Sequence, residues 1–79
     1  MTQNEIIAQL KFYSIAKSIT ETYGFIPCED EYSLQNVTEE LKHQGIEHDE
    51  ESVKNIIDKF PGWDYNGISD KVYQLINQL

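Results

Sequence analysis

Residues 33–60 have the sequence SLQNVTEELKHQGIEHDEESVKNIIDKF, in which two short amphipathic patterns lie on either side of a glycine. Ser33 is a favoured N-cap residue, and the apolar residues that follow it recur at the spacing of one helix face: Leu34, Val37 and Leu41. Gly45 predicts the end of this helix, and Asp49 predicts the N-cap of the next one. The apolar face of that next helix consists of Val53, Ile56, Ile57 and Phe60. The stretch therefore predicts two helices that meet at a helix-turn-helix-like corner.

The rest of the chain predicts one helix on each side of this corner. Thr2 and Glu5 have the spacing of a capping box, so the first helix is expected to span Gln3–Tyr23 and to end at Gly24. Residues 63–67 are interpreted as a turn-rich loop, with Ser69 as the N-cap of the last helix. The residues expected to face the core from that helix are Val72, Leu75, Ile76 and Leu79. No segment alternates apolar and polar residues over the length of a strand. The sequence predicts a single all-α domain (residues 1–79), a compact bundle of four helices of which the first is the longest.

The first helix carries two apolar stripes instead of one. At about 100° per residue, the first stripe contains Phe12, Ile15, Ala16, Ile19 and Tyr23. Ile6, Leu10 and Tyr13 lie on nearly the opposite side. A helix that packs on one core needs only one stripe, so this helix is either sandwiched between other elements or uses one stripe for another molecule. We predict that Ile6, Leu10 and Tyr13 contact a protein partner or a second copy of the chain in a homodimer.

Charge is the second informative property of the chain. The protein has 14 Asp and Glu residues, 6 Lys residues and no Arg, for a formal net charge of -8. The acidic residues concentrate in the middle, and those at the turn and the start of the third helix are Glu47, Asp49, Glu50 and Glu51. Such a surface disfavours nucleic acids and anionic membranes and favours a basic protein partner. We therefore include these four residues in the predicted partner-binding set.

Trp63 and Tyr65 complete the predicted set. They lie in the expected loop between Gly62 and Gly67, and Trp and Tyr are enriched at the centres of protein interfaces. The alternative is that Trp63 closes the end of the bundle, because Trp side chains tend to be buried. The leading prediction for function is a small acidic, non-enzymatic binding module, an inhibitor or an adaptor.

A second interpretation follows from the predicted corner, which resembles a helix-turn-helix. In that motif the second helix enters the major groove of DNA. Here its leading end carries Asp49, Glu50 and Glu51, which would be repelled by phosphates. We expect no direct binding to nucleic acid, although the alternatives of a helix-turn-helix-like regulator and of a DNA-mimicking antagonist of a nucleic-acid-binding protein stay open.

A third interpretation concerns Ser33. Ser33 and Leu34 open the predicted second helix after a long loop, and with the small size and acidity of the chain this arrangement resembles acyl carrier proteins. That resemblance implies a phosphopantetheine prosthetic group on Ser33. Tyr32 stands where the family has an aspartate before the serine, and an ordinary N-cap is the other interpretation of Ser33.

The remaining features predict no cofactor and no catalytic residue. Cys28 is the only cysteine, which excludes an intramolecular disulfide and a cysteine-based zinc site and fits a reducing compartment. His43, Glu47 and His48 are close in sequence, but Gly45 interrupts the helix that would align them, so we expect no metal site. The first residues do not resemble a signal peptide, and no apolar run is long enough to span a bilayer. We expect a cytoplasmic protein.

Overall fold

The computed structural model describes residues 2–79, which form four α-helices: α1 (Gln3–Tyr23), α2 (Leu34–His43), α3 (Glu50–Lys59) and α4 (Tyr65–Ile76). Within these residues the only β-structure is an isolated bridge between Phe25 and Asp64. α1 is the longest helix, with 21 residues. At about 1.5 Å per residue it is about 31 Å long, which nearly equals the 34 Å longest dimension of the molecule. The predicted all-α bundle is confirmed.

The ends of α1 lie where the sequence predicts them. The Glu5 N–H donates to the Thr2 hydroxyl over 3.2 Å, and that hydroxyl donates to the Glu5 carboxylate over 3.1 Å. The two side chains thus close the first turn, although the carboxylate binds the hydroxyl instead of the Thr2 backbone N–H. At the other end, the Gly24 N–H donates to the Thr20 carbonyl over 2.7 Å, and Gly24 has a left-handed backbone conformation.

The corner between α2 and α3 ends its first helix with a Schellman motif. Gly45 has a φ of +74°, and its N–H donates to the Lys42 carbonyl over 3.1 Å. The Ile46 N–H donates to the Leu41 carbonyl over 3.0 Å. Ile46 is partly buried and packs against the core, which is the hydrophobic contact that commonly accompanies this motif. The corner is therefore encoded locally, by a glycine and the apolar residue that follows it.

All four helices contribute to one hydrophobic core. Its buried members are Ile15, Ala16, Ile19, Ile26, Val37, Leu41, Val53, Ile56, Ile57 and Ile68. Of the core-facing residues expected for the second and third helices, Val37, Leu41, Val53, Ile56 and Ile57 are among them, and Leu34 and Phe60 pack partly buried at the edge. Most of these residues are Ile or Val, whose burial stabilises the fold by about 1.5–3 kcal/mol each before the loss of conformational entropy is counted.

Two loops join at the end of the bundle and fix the start of α4. The Ile26 N–H donates to the Trp63 carbonyl, and the Gly62 N–H donates to the Ile26 carbonyl, each over 2.8 Å. Ile26 is completely buried. The loop after α1 is therefore hydrogen-bonded to the loop before α4, and this pairing holds Asp64 in an extended conformation.

The predicted start of the last helix is wrong. α4 begins at Tyr65, and its N-cap is Asp64, whose carboxylate accepts the Gly67 N–H over 2.8 Å. Ser69 lies inside the helix. A Cβ atom on Gly67 would lie 3.1 Å from a ring carbon of Trp63, so the glycine lets the indole pack against the first turn. This packing accounts for a weak helix-forming residue in the first turn of α4.

α1 lies at the centre of the bundle. It packs against α2, α3 and α4, whereas α4 packs on α1 alone among the described helices. The Lys17 ammonium lies 5.5 Å from the centre of the Tyr65 ring, which joins the C-terminal half of α1 to the start of α4. α1 is thus sandwiched between the α2–α3 pair and α4.

Candidate functional site

The stripe formed by Ile6, Leu10 and Tyr13 is not one exposed surface. Lys17 continues this stripe by one turn and contacts Tyr65 at the start of α4. Ile6 is only 3 % exposed. Ile6 therefore has almost no surface to offer a partner in the folded protein, which does not fit the prediction that it contacts one. The alternative of a sandwiched helix describes α1.

The other two members of that stripe have different surroundings. The ring of Tyr13 is half-buried, 5.7 Å from the ring of Phe60 and 5.2 Å from that of Phe12. Leu10 is also half-buried, but it lines an open groove next to α1. Of the three residues, Leu10 is the one that the structure places at a concave surface.

This concave surface, which we call the α1 groove, has a volume of about 580 Å³. α1 supplies one wall, formed by Ile7, Leu10, Lys11, Ser14, Ile15 and Ser18. The α2–α3 connection supplies the other, formed by Ile46, Glu47, His48 and Asp49. Ile7 is 44 % exposed and gives this wall an accessible apolar side chain.

The acidic residues expected to bind a partner lie at and beside this groove. Glu47 and Asp49 line it, and Glu50 and Glu51 follow at the exposed start of α3. Asp49 is the N-cap of α3, and its carboxylate accepts the Ser52 N–H over 3.0 Å. Hydrogen bonds from the Ser52 hydroxyl and then from the Ser52 N–H hold the pKa of Asp49 below its ordinary value. Asp49 is therefore ionised at neutral pH, and it stabilises the helix as well as contributing charge.

Trp63 and Tyr65 have separate roles in the fold. The Trp63 ring is half-buried against the core, edge-on to the Phe60 ring at 5.0 Å, with the Lys71 ammonium 5.8 Å from its centre. This is the end-closing position considered from the sequence. Tyr65 lies in the first turn of α4 instead of a loop, and it is 40 % exposed. The two side chains therefore do not form a joint loop anchor.

A further exposed surface lies on α4, where the sequence predicted core residues. Leu75 is buried as expected, but Ile76 is 50 % exposed, and Leu79 lies beyond the helix and is 55 % exposed. Tyr73 is 67 % exposed. The apolar face of α4 is wider than the part of it that packs on α1. The sequence does not show which apolar residues of that face remain exposed to solvent.

The chemically reactive side chains have structural hydrogen bonds. The Ser33 hydroxyl accepts the Asn36 N–H over 3.2 Å as the N-cap of α2, and the Cys28 thiol donates to the Glu31 carboxylate over 3.4 Å. His48 Nδ1 lies 2.8 Å from the Ile46 carbonyl oxygen, a distance at which a protonated Nδ1 donates. Within residues 2–79, no group of three or more His, Cys, Asp and Glu side chains has the geometry to hold a metal ion.

Comparison of the chain with protein-family models, with curated proteins and with solved structures gave no match. In the described part of the chain, no helix combines the length and the apolar character needed to cross a membrane.

Proposed function

We propose that the protein is a non-enzymatic binding module that recognises a protein with a basic surface. The observation that carries the proposal is the α1 groove, an open and mostly apolar concavity with Glu47 and Asp49 on its second wall. Apolar concave surfaces bordered by polar residues are typical of binding sites for other proteins. The proposal includes the cytoplasmic location expected from the single cysteine.

The two features of the groove have different roles in binding. The net charge of -8 attracts a basic partner and increases the rate of encounter, an effect that salt screens over about 8–10 Å. The apolar wall around Ile7 and Leu10 slows dissociation of the bound partner, because burying this wall removes apolar surface from water. The combination is expected of an inhibitor or an adaptor, and it leaves the identity of the partner to experiment.

Two other interpretations stay predictions. For a helix-turn-helix-like regulator or a DNA mimic, the relevant feature is the exposed start of α3, where Glu50 and Glu51 follow Asp49. For a carrier protein, it is the exposed Ser33 at the start of α2. A mass increase after incubation with coenzyme A and a broad-specificity phosphopantetheinyl transferase would support the carrier interpretation.

The experiment that tests the proposal is capture of partners from the native host, followed by measurement with each purified partner. We expect binding that weakens as salt rises, and that weakens further in the charge-reversed variant Glu47→Lys/Glu50→Lys. Glu39→Lys/Asp70→Lys, at two exposed positions that do not line the groove, changes the net charge by the same amount and is the matched control. Affinity that is independent of salt and equal in both variants would refute the proposal, as would salt-sensitive binding to duplex DNA at micromolar protein.

A further inference from the structure

We infer that the α1 groove accepts an amphipathic α-helix of the partner, with apolar residues on the face that enters and Lys or Arg residues beside it. This inference rests on the proposed function and specifies the occupant. It follows from three properties of the groove: the arrangement of side chains on α1, the hydrogen-bonding state of its walls, and its charge.

The side chains that α1 presents to the groove form two parallel rows. One row is Ile7, Lys11 and Ile15, and the other is Leu10, Ser14 and Ser18. In each row, successive residues are four positions apart, and such rows are the ridges between which another helix packs. A ridge of the incoming helix fits between these rows, the arrangement that gives the commonest crossing angle, about -50°. Ser14 and Ser18 are small, so an incoming helix can approach closely in the second half of the groove.

The walls favour a helix over an extended segment. The α1 wall consists of side chains, because the backbone groups of a helix interior are already paired. On the other wall, the Ile46 carbonyl lies within hydrogen-bond distance of His48 Nδ1. An extended peptide would leave many backbone N–H and C=O groups in a mostly apolar groove without partners, whereas a helix pairs its own. The segment of α1 from Ile7 to Ser18 has twelve residues. It is about 18 Å long and accommodates about three helical turns.

The negative charge of the groove predicts cationic residues beside the apolar face of the bound helix, and it disfavours a second copy of this chain as the occupant. Glu47 and Asp49 line the groove, Glu50 and Glu51 extend the acidic surface, and Lys11 is the cation in the lining. Cationic side chains beside the apolar face of the occupant would lie near these carboxylates. A second copy would bring its own net charge of -8 to the same acidic surface.

The test uses three labelled synthetic peptides of about fifteen residues, which is about 22 Å in helical form. The first is a helix-forming peptide with Leu on one face and Lys and Ala elsewhere. The second replaces each Lys with Glu, and the third has the composition of the first with two central prolines that prevent a helix. Binding is measured by fluorescence anisotropy, and its location by amide chemical shifts. We expect the first peptide to bind with the largest shifts in α1 and residues 46–49, and the others to bind at least about tenfold more weakly.

Two variants place the binding at the groove. Ser14 is exposed, so Ser14→Phe fills the space between the rows without entering the core, and it should weaken binding of the first peptide at least about tenfold. Tyr73→Ala, on the exposed side of α4, is the matched control and should change affinity less than about twofold. Equal binding of the proline peptide at the groove overturns the helical occupant and leaves the proposed function intact. Absence of binding by the first peptide, or binding that Ser14→Phe does not weaken, overturns the inference, and the purified partner then decides the proposed function independently.

Discussion

Two adjacent isoleucines provide a direct test of the way α1 is sandwiched. Ile6 is 3 % exposed and Ile7 is 44 % exposed, although both are in the first two turns of the same helix. Replacement by Ala removes three carbon atoms, and at about 0.8 kcal/mol for each buried carbon the loss at Ile6 is about 2.4 kcal/mol. A cavity adds to this loss where the surroundings do not relax. At Ile7, about half of the side chain is already in water, so the loss is about 1.3 kcal/mol. The gain in helix propensity is nearly the same for both changes and cancels in the comparison.

We therefore expect Ile6→Ala to unfold at a lower temperature than Ile7→Ala, by about 4–8 °C for each kcal/mol of difference. Thermal melts followed by far-UV circular dichroism, with urea titrations for the free energy of unfolding, measure the pair. The whole domain is expected to have a free energy of unfolding of about 4–12 kcal/mol, so both variants should still fold. If Ile7→Ala destabilises the protein as much as Ile6→Ala or more, Ile6 is not the more buried of the two side chains. The assignment of the groove to the Ile7 side of α1 then fails with it.

Two further predictions concern the helix caps. Gly45→Ala should lower the free energy of unfolding by about 1–2 kcal/mol, because a left-handed backbone disfavours any Cβ. No other atom lies within 4 Å of the added carbon, so a steric clash does not contribute. Gly45→Asn should lower it less, and denaturant titrations that give equal losses for the two variants would contradict a conformational cause. The pKa of Asp49 is held below its ordinary value in the folded state. Its ionised carboxylate therefore adds to the free energy of unfolding above the unfolded-state pKa, and this contribution is lost as pH falls through the folded-state pKa. Asp49→Asn should keep the cap but lose the pH-dependent part of its contribution to the free energy of unfolding. The melting temperature of this variant should therefore decrease less as the pH is lowered. An NMR titration of Asp49 with an ordinary midpoint would contradict the prediction.

The helix caps could be predicted from the sequence because their interactions are local. Thr2, Ser33 and Asp49 each accept a hydrogen bond from a backbone N–H three residues later, so residue type and spacing contain most of the information. Gly45 ends α2 for the same reason, since its conformation depends on its own missing side chain. The core faces of α2 and α3 followed from periodicity, because each short helix packs on one side only.

The start of α4 could not be predicted in this way. Asp64 and Ser69 are both favoured N-cap residues, and the sequence offers no local reason to choose between them. The structure chooses Asp64 because Ile26, nearly forty residues earlier in the chain, pairs with the backbone of Trp63 and Gly62. The first turn of α4 then forms with a glycine at position 67, because the missing side chain leaves room for the Trp63 ring. Both causes are tertiary, and neither leaves a periodic pattern in the sequence.

The candidate site was only partly accessible from the sequence for a related reason. The sequence showed that α1 has more apolar surface than one core requires, but the choice between a covering helix and a partner depends on where α4 packs. The structure buries Ile6 and leaves Ile7 and Leu10 at the groove. Glu47 and Asp49 are neighbours in the sequence, but their position opposite α1 depends on the direction in which the α2–α3 corner turns.

The groove follows from a mismatch in length between α1 and the helices around it. α1 has 21 residues, whereas α2 and α3 have 10 each and α4 has 12. At about 1.5 Å per residue, the neighbours are about 15–18 Å long against about 31 Å for α1, so none of them can cover a whole face of it. Where α2 and α3 turn into each other, α1 faces their connection, residues 46–49, in place of a helix. A connection fills less space than a helix about 10 Å in diameter, and the unfilled space remains open beside Ile7, Leu10 and Ser14. A fifth helix supplied by another molecule would complete the packing around α1, and the carboxylates at the start of α3 would favour one that carries positive charge.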